Sequence, residues 1–232
     1  MPPGFFFLPF LGLFFVLFLF LLFGLFLLIQ IGAISVAFTK LGLSAAQVFW
    51  VLAGTLVGSL INIPVHRRTL SASTVPSRSP LDGLWKHYRR LGPSPKGVQT
   101  IAVNLGGCVL PSLLSIYFVT RIGISGHLIL CLFLVSFFTH KIARPVPGVG
   151  IGIPFLLPPL IAVLATWTLA PAEQAPQVAY ISGSLGTLIG ADILNLFRPG
   201  IWRDLQAPML SIGGAGTFDG IFLSGILAVL LA

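Results

Sequence analysis

The sequence predicts an all-α fold: a polytopic transmembrane helical bundle of about seven membrane segments. Three observations predict it. Of the 232 residues 56% are hydrophobic and only 8% are charged, with a mean hydropathy of +1.03; a soluble domain carries about a quarter charged residues. Apolar runs close to the length that spans lipid hydrocarbon, about 20 residues, recur along the chain. The basic residues concentrate in alternate connections between those runs, as the positive-inside rule requires.

The first segment runs from Phe5 to Ile29. Its apolar core exceeds the roughly 7–15 residues of a signal peptide and lacks a basic n-region, so it reads as a retained helix despite the cleavage-like Ser35-Val36-Ala37. The second spans Ala45 to Ile63, the third Val98 to Val119 with Pro111 inside it, and the fourth Ile124 to Phe138. The fifth, Val149 to Leu169, opens in the run ARPVPGVGIGIPFLLPPL. Proline removes amide donors, and irregular backbone at membrane depth is tolerated only against protein or a wet cavity. This segment is therefore expected to enter as extended or broken backbone, or to be re-entrant, and to become helical near Leu160. The sixth segment spans Gln177 to Phe197 and the seventh Pro208 to Leu231. The whole chain, 1–232, reads as one integral membrane domain.

Between segments two and three lies a long connection, residues 64–97, with Arg67, Arg68, Arg78, Lys86, Arg89, Arg90 and Lys96. Lys141 and Arg144 lie between segments four and five, and Arg198 and Arg203 between six and seven. In a seven-segment map these connections share one side and leave only Lys40 and Arg121 on the other. The expected localisation is the inner, cytoplasmic membrane, with the N-terminus inside, the C-terminus outside and 64–97 as a basic cytoplasmic loop. The net charge of +8 thus reports topology rather than nucleic acid. The loop charges and Trp85 read as a solvated connection, or as a contact to anionic lipid.

Five acidic residues remain to be placed. Asp82 and Asp204 fall in inner loops and Glu173 in an outer turn, which leaves Asp192 in GTLIGADILNLF and Asp219 in SIGGAGTFDGIFLSGI. A charge near the bilayer centre costs about 3 kcal/mol or more, so an intramembrane carboxylate is a functional candidate by default. Asp192 precedes Arg198 by six residues, about 9 Å of helix. Asp219 follows Gly213, Gly214 and Gly216, which break a regular helix. Both carboxylates are expected in the inner half of the membrane.

Small residues recur every fourth position beside each aspartate: Ser182, Gly186 and Gly190 in segment six, and Gly216, Gly220, Ser224 and Ala228 in segment seven. Such stripes let helices approach closely in lipid, and facing stripes would bring the carboxylates together. Two carboxylates in one dry site share a proton and titrate as a unit. The pair suits aspartyl-type proteolysis, with one carboxylate activating water and the protonated one polarising a carbonyl. It equally suits binding and release of H+ or Na+ during transport. The bland reading has each aspartate capping broken backbone or pairing with a neighbour such as Asn195, in a non-enzymatic scaffold or lipid-binding protein.

Other polar positions outline a candidate cavity or substrate site: Asn62 in SLINIPV, Asn104 in NLGGCVLPS, Asn195, Gly214, Gly216 and Pro154. For the asparagines, binding of freed backbone groups is the alternative to substrate contact. Cys108 and Cys131 sit in apolar runs and read as packing thiols. No CxxC, HExxH or Cys/His cluster points to a metal, and no cofactor is implied. The expected partners are membrane lipids with a transmembrane peptide or H+/Na+.

NIPV, NLGGCVLPSLLSIY, PGVGIGIPFLLPPL, GTLIGADILNL and GGAGTFDGIFLSG together resemble a prokaryotic membrane family catalogued as domain of unknown function 1614, over roughly Ala45 to Leu230. That resemblance implies a polytopic membrane protein and no particular activity. Segments six and seven also resemble the GxGD intramembrane aspartyl proteases, the presenilin and signal peptide peptidase group. There one aspartate lies on each of two consecutive helices and the second follows Gly-x-Gly. The resemblance implies catalytic roles for Asp192 and Asp219, with Gly214 and Gly216 as the glycine pair. The chain departs from that pattern where Thr217 and Phe218 separate Gly216 from Asp219, and where Ala191 stands for the tyrosine before the first aspartate. Only Ala207-Pro208-Met209 comes near the proteases' Pro-Ala-Leu motif.

Overall fold

A computed structural model describes residues 8–69, 98–146, 150–198, 201, 209–214 and 220–232. The chain is mostly helical. Helix α1 covers Leu8–Lys40 and α2 Ala45–Gly58, the latter opened by a reciprocal cap between Ser44 and Gln47. Strand β1 (Asn62–Thr69) and strand β2 (Val98–Asn104) follow. A π-turn, Leu105–Val109, then leads into α3 (Leu110–Ile122), and α4 spans Gly126–Ile142. Strands β3 (Arg144–Val146) and β4 (Gly150–Gly152) precede α5 (Leu157–Leu169). Helix α6 (Ala175–Thr187) widens into a second π-turn, Leu188–Ile193, and closes in the single turn α7 (Leu194–Leu196). Strand β5 (Met209–Ile212) leads toward α8 (Gly220–Leu231).

The strands correct the all-α expectation. The second segment is helical only to Gly58, and its end, Asn62 and Ile63, belongs to β1. The third begins as β2 and the seventh as β5. β1 and β2 are antiparallel and β2 and β5 parallel, in the order β1-β2-β5. Pro64, which has no N–H for a ladder, sits where the β1–β2 register shifts between Pro64 and His66. The fifth segment does enter as extended backbone: β3 and β4 form a hairpin, and the helix starts at Leu157, near the expected Leu160. The described part of the basic connection, up to Thr69, is strand rather than loop; residues 70–97 lie outside the described residues.

The bundle is apolar outside as well as inside, and its interior also takes in hydroxyls. The interior of the bundle holds Ser115, Thr139, Thr166, Ser182 and Ser184, each fully buried. The outer faces expose Phe20, Leu28, Trp50, Leu113, Phe133, Leu164 and Trp167. Two helices, Phe15–Lys40 and Leu105–Ile122, are long and apolar enough to cross a membrane; α2, α4, α5 and α8 are apolar but shorter.

Hydroxyls and glycines make the interior close-packed. Gly190 of the second π-turn abuts Ser136 and Thr139 of α4, and a Cβ on Gly186 would come within 2.7 Å of Val135. Gly186 and Gly190 of the stripe Ser182–Gly186–Gly190 therefore pack on α4. Ser224 and Ala228 of α8 face α6 one residue round, at Gly183 and Thr187: Ser224 Oγ donates to the Gly183 carbonyl at 3.1 Å and lies 3.2 Å from Thr187 Oγ1.

The ends of the elements alternate. Lys40, closing α1, donates to the carbonyls of Val229 and Leu230 at the end of α8, at 3.4 and 3.2 Å. A cation on a helix C-terminus contributes about 0.3–1 kcal/mol. Lys40→Met should lower the thermal midpoint of the purified protein by a few degrees at most. Circular dichroism melts in detergent would check this, and a collapse of the fold would contradict it. At the same end, His127 Nε2 at the start of α4 lies 3.0 Å from Gln174 Oε1, just before α6.

Candidate functional site

Asp192 is half-buried in the second π-turn. The turn is wider than an α-helix, with the N–H of Leu194 bonding to the carbonyl of Ile189. Such a turn leaves carbonyls without their usual donors, and Asn195 supplies them. Its Nδ2 donates to Gly190 and Ala191 carbonyls, each at 3.0 Å. Asn195 thus serves the backbone and frees Asp192 to look outward. The carboxylate Oδ2 accepts the N–H of Gly213 at 2.7 Å.

That amide comes from the turn after β5. Gly213 and Gly214 have φ of 85° and 87°, a left-handed geometry suited to glycine. Gly213 also lies on the first π-turn: a Cβ there would come 2.6 Å from the Cys108 nitrogen and 2.7 Å from the Gly107 carbonyl carbon. No larger residue fits without displacing backbone.

Asp192 opens on a cavity of about 220 Å³. Its walls are Thr187, Ala191, Asp192 and Leu196 from the α6–α7 rod, Gly150, Ile151 and Ile153 from the β4 region, Leu210 to Ile212 and Gly214 from β5 and its turn, and Gly220 and Ile221 from α8. Among the described residues the lining is mostly apolar, with the Asp192 carboxylate and the hydroxyls of Thr187 and Ser211. Such sites suit a ligand that is mostly apolar but polar at one point.

The expected site residues separate as follows. Asp192 and Gly214 line the cavity. Asp219 and Gly216 lie outside the described residues. Asn195 is buried behind the wall. Pro154 is exposed, its carbonyl accepting the Leu157 N–H at 3.1 Å where α5 begins. Asn62 and Asn104 do not line the cavity but bond toward it. Asn104 Nδ2 donates to the Ser59 carbonyl at 2.8 Å and to Asn62 Oδ1 at 3.1 Å, and its Oδ1 accepts the Gly107 N–H at 2.8 Å. Ser211 Oγ donates to the same Asn62 Oδ1 at 2.5 Å. Ser211 and Thr187 carry no sequence signal, since a lone hydroxyl in an apolar run is commonplace in membrane helices; Gly213 is marked in sequence only as part of the helix-breaking glycine cluster. Among the described residues no group of three His, Cys, Asp or Glu side chains could hold a metal, and neither Cys108 nor Cys131 is in a disulfide.

Fold and site together define a class: a mostly helical protein with an apolar exterior, hydroxyls and glycines set into an apolar interior, and the Asp192 carboxylate on a cavity where broken helices meet short strands. Within that class, the family described as protein of unknown function (DUF1614) matches residues 56–231, and the chain belongs to it. No curated protein and no solved structure matches the chain. The family description carries no activity, and the likeness to the GxGD proteases rests on the residues quoted for it alone.

Proposed function

We propose that the chain is a multi-pass protein of the cytoplasmic membrane, N-terminus inside and C-terminus outside, that hydrolyses peptide bonds at Asp192 and Asp219. The apolar exterior and the alternating element ends support a seven-segment path. His66, Arg67, Arg144 and Arg198, all exposed, belong to elements at the end of the bundle opposite Lys40, which supports the assigned orientation.

One observation carries the catalytic reading: the Asp192 carboxylate stands on a cavity whose wall includes Gly220, the covalent neighbour of Asp219. Asp219, which precedes Gly220 in sequence, is the proposed second carboxylate. The ionised aspartate takes a proton from water as the water oxygen adds to the scissile carbonyl. The protonated aspartate hydrogen-bonds the carbonyl oxygen, and collapse of the tetrahedral adduct expels the amine with a proton. A π-turn at Asp192 agrees with this reading, since such turns recur at functional sites.

The test is cleavage of a transmembrane peptide by the full chain in detergent. Asp192→Asn and Asp219→Asn are each expected to lower the rate by at least about a hundredfold. Cleavage that survives both changes rules the reading out. The meeting of broken helices at one carboxylate favours a second reading, H+- or Na+-coupled transport. Loss of ion flux in vesicles with the same variants, without peptide cleavage in the wild type, would select it.

A further inference from the structure

The hydrogen bonds behind the cavity have a fixed polarity. Asn104 Oδ1 is taken by the Gly107 N–H, so its Nδ2 faces Ser59 and Asn62. Asn62 must then present Oδ1 to it, and Ser211, sharing that oxygen, must donate. Three chain segments are thereby tied at one atom: the start of β1 through Asn62, the end of β2 through Asn104, and β5 through Ser211. The strand register agrees, with Asn62 opposite Asn104 and Ser211 beside Ala102. Two residues after Ser211, the Gly213 N–H meets Asp192 Oδ2 at 2.7 Å.

We infer that Asn62 and Ser211 form a positioning clamp that holds the Gly213 amide on Asp192, so that the reactivity of this carboxylate is set from the sheet and not from its own helix alone. The inference rests on Asp192 being the functional carboxylate. Neither Asn62 nor Ser211 is a catalytic residue; both act through the turn at Gly213. The parallel β2–β5 ladder ends at Ile212, so the turn itself has no further strand pairing. A donor lost at Ser211 frees β5 to shift along β2, and the amide leaves Oδ2. An oxygen no longer engaged by an N–H is the better nucleophile.

The test uses dicyclohexylcarbodiimide, an apolar reagent that modifies carboxyl groups, on the full chain in detergent, with mass spectrometry of the peptide bearing Asp192. Ser211→Ala is expected to raise the labelling rate of Asp192 about fivefold, the equivalent of one net hydrogen bond. Ser211→Thr, which keeps the donor, should label like the wild type. Labelling of Glu173, at the other end of α6, should not move. Should Ser211→Ala fail to fold, Asn62→Ala removes the shared acceptor and is expected to act alike. Equal labelling in all variants overturns the clamp, as does an equal rise in Ser211→Thr or a parallel rise at Glu173, which would mark general loosening. The readout needs no peptidase activity. A failed cleavage assay with a positive labelling result would therefore reject the proposed reaction and keep the clamp.

Discussion

Gly106→Ala is expected to destabilise the protein by about 3 kcal/mol or more, at or above the upper end of overpacking costs. Gly106 sits in the first π-turn, where α2 crosses it backbone to backbone. A Cβ on Gly106 would overlap the Thr55 carbonyl and the Ser59 nitrogen, two atoms already joined in a 2.8 Å hydrogen bond that closes α2. From the other side, a Cβ on Gly58 would come 2.9 Å from the Gly106 nitrogen. No side chain can rotate away, because the obstacles are backbone. In lipid this matters more than in water, since helices there associate by close packing and not by hydrophobic exclusion. Thermal unfolding in detergent measures the loss. Gly24→Ala provides the comparison: it lies in α1 with nothing within 4 Å of the added carbon. It should be neutral, or slightly stabilising through helix propensity. Equal midpoints for the two variants would refute this account of the α2 crossing.

Hydropathy made the helices legible and hid the strands. A hydropathy window does not distinguish VQTIAVN, which pairs as β2, from the helix it feeds, because its four apolar residues run on into the apolar helix and its three polar ones are averaged away. The fifth segment carries a steric clue instead: the prolines and glycines between 145 and 159 forbid a regular helix, and the chain there forms a hairpin before α5. Pro64 agrees with a segment that ends at Ile63 but does not mark the helix end at Gly58, five residues earlier. Asp192 was legible because a carboxylate in an apolar run is expensive and therefore conspicuous. The Asn62–Ser211 contact was not, because it joins residues 149 positions apart and hydroxyls carry little cost to flag them. Small-residue stripes announced close packing at Gly186 and Gly190 but did not name the partner. A glycine face fits any helix that offers a matching ridge, and α4 offers Val135 and Thr139 there.

Gly213→Ala should couple stability to the site, which Gly106→Ala should not. At φ 85° an alanine is strained by about 1–2 kcal/mol. Its Cβ would also meet Cys108 and Gly107 backbone at 2.6 and 2.7 Å, so a total cost of about 2–4 kcal/mol is expected. The turn can relieve both only by moving, and the movement withdraws the N–H from Asp192. Asp192→Leu breaks the same bond from the other side and leaves a buried amide without its acceptor, at about 1–3 kcal/mol. Asp192→Asn keeps an oxygen in place and should cost less than Asp192→Leu. In a double-mutant cycle, Gly213→Ala and Asp192→Leu should together cost at least about 0.5 kcal/mol less than the sum of the two, because one interaction cannot be lost twice. Chemical denaturation of the four proteins in mixed micelles gives the cycle. Strict additivity would mean that the amide of Gly213 does not hold the carboxylate, and that Asp192 owes its position on the cavity to the π-turn alone.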